Sequence, residues 1–409
     1  MTLRYLSEPL KRHLTQNRQM VFLVGPRQVG KTTLAQSFLK TVEVGKNYFN
    51  WDDPKQRKIL LQEVFKGRLP FSPQENPVIV FDEIHKYPRW KNSLKGLFDS
   101  HEPDTHWIVT GSAALNVYKK GQDSLVGRQF TYHLFPFSVA ELAEKHSGEV
   151  ALSAIRSSTL SLEKPTLGSQ QNMEHLFRWS GFPEPLFKKE DAFLTQWRVA
   201  RIDRLVNQDL AALEHLRHLP LVENLVLLLP ERVGSSLSIN SLREDLEVHF
   251  STVKHWLELL SRVFYGFPVY PYAAKLSRML KKEMKYYLWD WTEITEEGHR
   301  FENMVAVHLQ KWIFYLNDLG IGSFSLHYIR DKEKREVDFL ICENRKPFLA
   351  VECKFADPEP SKSLLYYSER LKIPYALQLL FKSVEPRILK TESGNLYIAS
   401  AASFLEQLV

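Results

Sequence analysis

Apolar and polar positions follow two regimes along the chain. Up to about residue 140, short unbroken apolar runs alternate with stretches of helical periodicity, the pattern of an α/β parallel sheet covered on both faces. Strands are predicted at 20–24, 48–51, 78–81, 107–110 and near 130–134, with helices between them. Pro73, Pro77, Pro88 and Pro103 lie outside these strands, where no ladder donor is lost. Residues 146–172 turn to Ser, Thr, Gly and Pro with scattered charge, which reads as a linker or insertion.

Beyond it, helical periodicity dominates from about 193 to 229. Short helices at 240–246 and 251–261, joined by the turn 247–250 and followed by the β-prone stretch 264–270, give a helix-turn-helix with a wing. A long helix is predicted at 301–316. After it, 335–342 and 348–354 alternate as a β-hairpin around the turn 343–347.

With 409 residues against roughly 100–200 per domain, the chain holds two or three domains. The net charge of +6 points toward a polyanionic partner only where the charge is clustered. No run approaches 18 apolar residues and the first 19 residues are charged throughout, so a cytoplasmic protein is expected. Cys342 and Cys353 alone make neither a disulfide framework nor a thiolate zinc site.

The strand 20–24 runs into Gly25-Pro26-Arg27-Gln28-Val29-Gly30-Lys31-Thr32-Thr33, and a helix follows. The glycines let successive N–H groups face phosphate oxygens, Lys31 brings charge to the β- and γ-phosphates, and Thr32 offers a hydroxyl to Mg²⁺. The apolar run 78–81 ends in Asp82 and Glu83, assigned to Mg²⁺ and to the attacking water respectively. A third apolar strand ends in Thr110-Gly-Ser112, where Thr110 or Ser112 would sense the γ-phosphate. Arg128 is read as the additional cation on the transferred phosphoryl group or as an ordinary surface arginine.

The hairpin carries a second constellation. A register symmetric about Arg345 sets Asp338 opposite Glu352, with Lys354 on the face of Glu352. Two opposed carboxylates among Val337, Phe339, Ile341, Leu349 and Val351 need a cation or a proton between them. Oxygen ligands suit Mg²⁺ or Mn²⁺, and Lys354 would hold the water that attacks a phosphodiester. Glu302 is read as a further ligand or as a favourable acid near a helix N-terminus. For DNA, Lys254 and His255 sit where a recognition helix would, and 275–285 carries Lys275, Arg278, Lys281, Lys282 and Lys285 against Glu283 alone.

Together with Leu125-Val-Gly-Arg128, Gly181-Phe-Pro-Glu184, Gly298-His-Arg-Phe-Glu-Asn303, Glu336-Val-Asp-Phe339 and Val351-Glu-Cys-Lys354, these motifs resemble a family of AAA-type P-loop ATPases of bacteria and archaea. The resemblance implies an N-terminal AAA/ASCE-type parallel sheet (1–145), the 146–172 linker, a helical winged-helix domain (173–292) and a mixed α/β PD-(D/E)xK nuclease-like domain (293–409). It further implies that Asp338, Glu352 and Lys354 match the nuclease core motif and Glu302 its helical acid, although no Gln-x-x-x-Tyr motif follows Lys354. The expected function is an Mg²⁺-dependent ATPase coupled to DNA binding and to a metal-dependent nuclease domain; the alternative is an ATP-driven switch or protein remodeller on an inactive nuclease-like scaffold.

Overall fold

The computed structural model describes residues 3–39, 42–68, 78–100, 105–111, 125–145, 148–157, 159–211, 218–273, 283–392 and 394–409. They form two compact units, Arg4–Phe135 with Arg262–Phe264, and Pro136–Ser261 with Tyr265–Val409.

In the first unit, β1 (Met20–Val24), β2 (Tyr48–Asn50), β3 (Val78–Asp82), β4 (His106–Thr110) and β5 (Gln129–His133) make a parallel sheet in the order β2-β3-β4-β1-β5. Their unbroken apolar runs follow from coverage on both faces: every residue of β1 is buried. Phe49, Phe81 and Trp107 stack across β2, β3 and β4 with ring centres 5.8 and 5.7 Å apart. Because β4 lies between β1 and β3, the loop after β1 and the carboxylate ending β3 face each other across one intervening strand. Open parallel sheets bind ligands at this carboxyl end.

The second unit is built on an eight-stranded sheet of β6 (Gly266–Pro271), β7 (Lys285–Leu288), β8 (Phe324–Arg330), β9 (Glu336–Glu343), β10 (Lys346–Lys354), β11 (Tyr375–Leu380), β12 (Arg387–Lys390) and β13 (Asn395–Ser400). Its order is β12-β13-β11-β10-β9-β8-β6-β7. Strands β8, β9 and β10 are antiparallel neighbours, whereas β10, β11 and β13 run parallel. The helix Glu297–Asp318 is buried on every side from Phe301 to Leu309, as a helix central to its unit must be.

Several expectations are corrected. Where a linker or insertion is expected, the described residues carry the helix Gly148–Arg156, which buries Ala151, Leu152 and Ile155, and the start of the helix Leu167–Trp179. Polar composition misled because these helices are amphipathic and bury only one stripe each. Residues 136–145 belong to the second unit, where Glu141 completes a capping box with Ser138 and pairs with the buried ammonium of Lys311. The stretches 173–292 and 293–409 share one compact unit by contact, apart from Arg262–Phe264, which belong to the first. The helices Ile239–Asp245 and Phe250–Arg262 are present, and the β-prone stretch expected as a wing is β6, which pairs with β7 and joins the sheet through β8.

Candidate functional site

The loop between β1 and the helix Lys31–Gln36 is shaped by its glycines. A Cβ on Gly25 would lie 2.0 Å from the Leu134 carbonyl oxygen, and Gly25 holds φ +148°. Gly30, at φ +96°, is the left-handed cap that starts the helix. The Lys31 ammonium folds back over the loop and donates to the carbonyls of Gly25 (3.0 Å) and Pro26 (2.7 Å). From outside the motif, Arg4 donates to the carbonyls of Val29 (2.7 Å) and Phe135 (2.5 Å), bracing loop and sheet. Sequence reading missed Arg4, since its partners lie up to 131 residues away.

Asp82 is the polar centre of this region. Its Oδ2 accepts from the Thr32 hydroxyl and from the Tyr48 hydroxyl, each at 2.8 Å, and its Oδ1 accepts from the Thr110 hydroxyl. The register pairs Asp82 with Thr110 directly, which is why the intervening strand supplies that donor. Burial, then the Asp82 charge, pushes the Tyr48 phenol well above its ordinary range, so it stays a donor. Glu83 sits in the left-handed region at φ +56°, its N–H bound to the Thr110 carbonyl and its carboxylate 3.3 Å from the Lys86 ammonium.

Arg128 is placed elsewhere. Its carbonyl accepts from the N–H of Met20, so it stands at the amino end of the sheet, opposite the phosphate loop, and its guanidinium pairs with Asp99. A role at this chain's own loop does not fit that position. Ser112 lies outside the described residues, as do Lys275, Arg278, Lys281 and Lys282.

In the second unit, pairs Leu349↔Ile341 to Val351↔Phe339 follow the register symmetric about Arg345, and carried one residue further it faces Asp338 with Glu352. Asp338 Oδ2 accepts from the Cys353 N–H at 2.9 Å. Glu352 Oε1 takes the Lys354 ammonium at 3.1 Å and the Ser361 hydroxyl at 3.3 Å, while the buried Oε2 has no hydrogen-bond partner. Glu302 Oε1 accepts from the Tyr287 hydroxyl at 2.6 Å and from Lys285 at 3.0 Å. Burial, with the Glu302 and Glu352 charges, raises the Asp338 carboxyl well above the usual range, and burial raises Glu352. A cleft of about 490 Å³ is lined by Glu302, Asp338, Glu352 and Lys354 together with His299 and Phe355.

Lys285 is the largest departure from expectation. Assigned to a DNA-facing basic segment, it is 1% exposed and forms ion pairs with Glu302, Glu336 (2.6 Å) and, at 3.7 Å, Asp338. Burial alone would lower its pKa, but these three carboxylates outweigh it and hold the ammonium charged. Among the described residues no three His, Cys, Asp or Glu side chains are arranged to hold a metal ion. Nor is any described helix long and apolar enough to cross a membrane. Lys254 is exposed on its helix and His255 half-buried.

Residues 17–143 match the sequence profile of an AAA domain. The N-terminal unit has an AAA-type P-loop fold. Residues 170–292 and 297–388 match two domains of unknown function (DUF8612 and DUF4143). The chain is 23% identical over 403 residues to an uncharacterized protein of Methanocaldococcus jannaschii, covering 90% of this chain and 82% of that one. It is 21% identical over 353 residues to an uncharacterized protein of Mycobacterium tuberculosis, covering 84% and 72%. Among solved structures, the Aeropyrum pernix Orc1 protein in complex with DNA is similar at 14% identity and a TM-score of 0.31, covering 74% of this chain and 93% of that one. AMPPCP-bound DnaA from Aquifex aeolicus is similar at 14% and 0.29, covering 62% and 86%. Scores of that size carry no functional argument.

Proposed function

We propose that this chain is an Mg²⁺-dependent ATPase. The observation that carries the reading is the hydroxyl of Thr32 bound to the carboxylate of Asp82 at 2.8 Å beside a glycine-shaped loop and Lys31. A hydroxyl next to a carboxylate is a hard-oxygen donor pair that fits Mg²⁺. When bound, Mg²⁺ supplies charge neutralisation on the β- and γ-phosphate oxygens. Loop N–H groups orient the phosphates, Lys31 exchanges its two carbonyl partners for phosphate oxygens, and Glu83 turns from Lys86 to the attacking water. Calorimetric titration with ATP and Mg²⁺ tests this: the wild-type chain binds and hydrolyses ATP, and Lys31→Ala does neither. A folded wild-type chain that fails to bind ATP sinks the reading.

The cleft beside Glu302, Asp338, Glu352 and Lys354 supports a second activity, a divalent-cation-dependent site acting on DNA phosphodiesters under nucleotide control, with Lys254 and His255 contacting the backbone. What supports a hard cation such as Mg²⁺ or Mn²⁺ is the all-oxygen chemistry of the carboxylates and the orphaned, buried Oε2 of Glu352, although the side chains do not converge on one point as they stand. The ion pairs of Lys285 favour the competing version, a regulatory switch on an inert scaffold. Incubation of DNA with the chain and Mn²⁺ separates them: cleavage lost in Asp338→Ala and Lys354→Ala supports the nuclease, and intact single- and double-stranded DNA with the wild type supports the switch.

A further inference from the structure

We propose that Lys285 is the resident cation of the C-terminal acidic cluster and competes with a divalent ion for it; the inference rests on the divalent-cation reading of that site. Lys285 reaches Glu302 Oε1 at 3.0 Å, Glu336 Oε1 at 2.6 Å and Asp338 Oδ1 at 3.7 Å. Carboxylates turned toward one ammonium do not converge on a metal, and none of the described residues form such a convergent set. The same strand also delivers Tyr287, whose hydroxyl takes Glu302 Oε1 at 2.6 Å. Strand β7 therefore supplies both donors that occupy the helical acid.

Glu352 is the group left over. It is 6% exposed, lines the cleft with Glu302 and Asp338, and its Oε2 has no partner. Such an oxygen is costly to bury unless something binds it. The cluster counts four carboxylates, Glu302, Glu336, Asp338 and Glu352, against three cations, Lys285, Lys354 and the Arg330 guanidinium 3.3 Å from Glu336, so one more positive charge can still be accommodated beside Glu352. An ion entering next to Glu352 and Asp338 meets the Lys285 charge at close range, which lowers its affinity.

The backbone beneath Lys285 is fixed. Asn303 bonds both the N–H (2.8 Å) and the carbonyl (2.7 Å) of Leu288, so β7 stays in place and the exchange is made by the Lys285 side chain.

The test is calorimetric titration of Mn²⁺ into the full chain carrying Asp82→Asn, which removes the N-terminal carboxylate ligand. Adding Lys285→Met or Lys285→Gln is expected to tighten Mn²⁺ binding at least tenfold, whereas Lys285→Arg, which keeps the charge, stays within twofold of the parent. Asp338→Asn as a further control abolishes binding. Uncharged variants that are folded yet bind no tighter, while Asp338→Asn removes the parent's binding, overturn the proposal and leave the cation site standing. Absence of Mn²⁺ uptake in parent and uncharged variants alike overturns the cation reading and the proposal with it. Uncharged variants that unfold without metal and regain the parental melting temperature with Mn²⁺ support it; if Mn²⁺ does not restore them, Lys285 is structural and the proposal fails.

Discussion

The hydroxyls of Tyr48 and Thr32 share one oxygen of Asp82, each at 2.8 Å. When Thr32 turns to a metal, Tyr48 and Thr110 are what remain to aim the carboxylate. Tyr48→Phe removes a hydrogen bond to a charged group without opening a cavity, a loss of about 1.5–3 kcal/mol. The expected outcome is a lower melting temperature and a several-fold drop in kcat, with metal-free ATP affinity unchanged. Equal kcat in the two proteins would show that Thr110 alone suffices.

Glu83 is held by strain as well as by contacts. Its φ of +56° is unusual for a residue with a Cβ, and its carboxylate lies against Lys86 and His85. Glu83→Gln keeps the shape and removes the charge. Binding of ATP should persist within about threefold while turnover falls by about 100-fold or more, a loss of the order expected for general-base work. Single-turnover kinetics with excess chain check both parts together.

The two glycines Gly25 and Gly67 make a matched pair. Both have positive φ, but a Cβ on Gly25 would meet the Leu134 carbonyl at 2.0 Å, whereas one on Gly67 would meet nothing within 4 Å. Gly67→Ala should cost about 1 kcal/mol for the left-handed backbone. Gly25→Ala adds a backbone collision, so its cost should exceed about 3 kcal/mol. Chemical denaturation followed by tryptophan fluorescence measures both.

What was legible in the sequence was local. The phosphate loop was readable because strand, loop and helix are contiguous, and the carboxylates of β3 because an apolar run ends in them. The hairpin register was readable over 349–351 because period-two alternation admits one pairing, while the irregularity between Pro347 and Leu349 shifts the turn to Asn344 and Arg345, both at positive φ. Lys285 was not readable. Its burial depends on carboxylates of the helix Glu297–Asp318 and of β9, which come later in the chain, and a basic segment looks the same facing solvent or facing carboxylates. Arg128 was misplaced for a related reason: its distance from the phosphate loop is set by which end of β5 it occupies, and a motif does not say which end faces a ligand.

A final prediction concerns pH. His308 is buried, its Nδ1 donating to the Met304 carbonyl at 2.8 Å and its Nε2 accepting from the Val139 N–H at 3.2 Å. These partners fix the neutral tautomer, and protonation at Nε2 would set two donors against each other. Burial pushes the imidazole down to about 4 from 6.5, the nearby Lys311 charge acting in the same direction. A folded pKa below the unfolded one means that the contribution is complete above about pH 6.5 and is lost as pH falls through about 4. The shift corresponds to about 3 kcal/mol. Melting temperature should therefore fall between pH 6.5 and 4 in the wild type more steeply than in His308→Gln, whose amide keeps one donor and one acceptor without titrating. Parallel curves for the two proteins over that window would place the acid sensitivity at other groups.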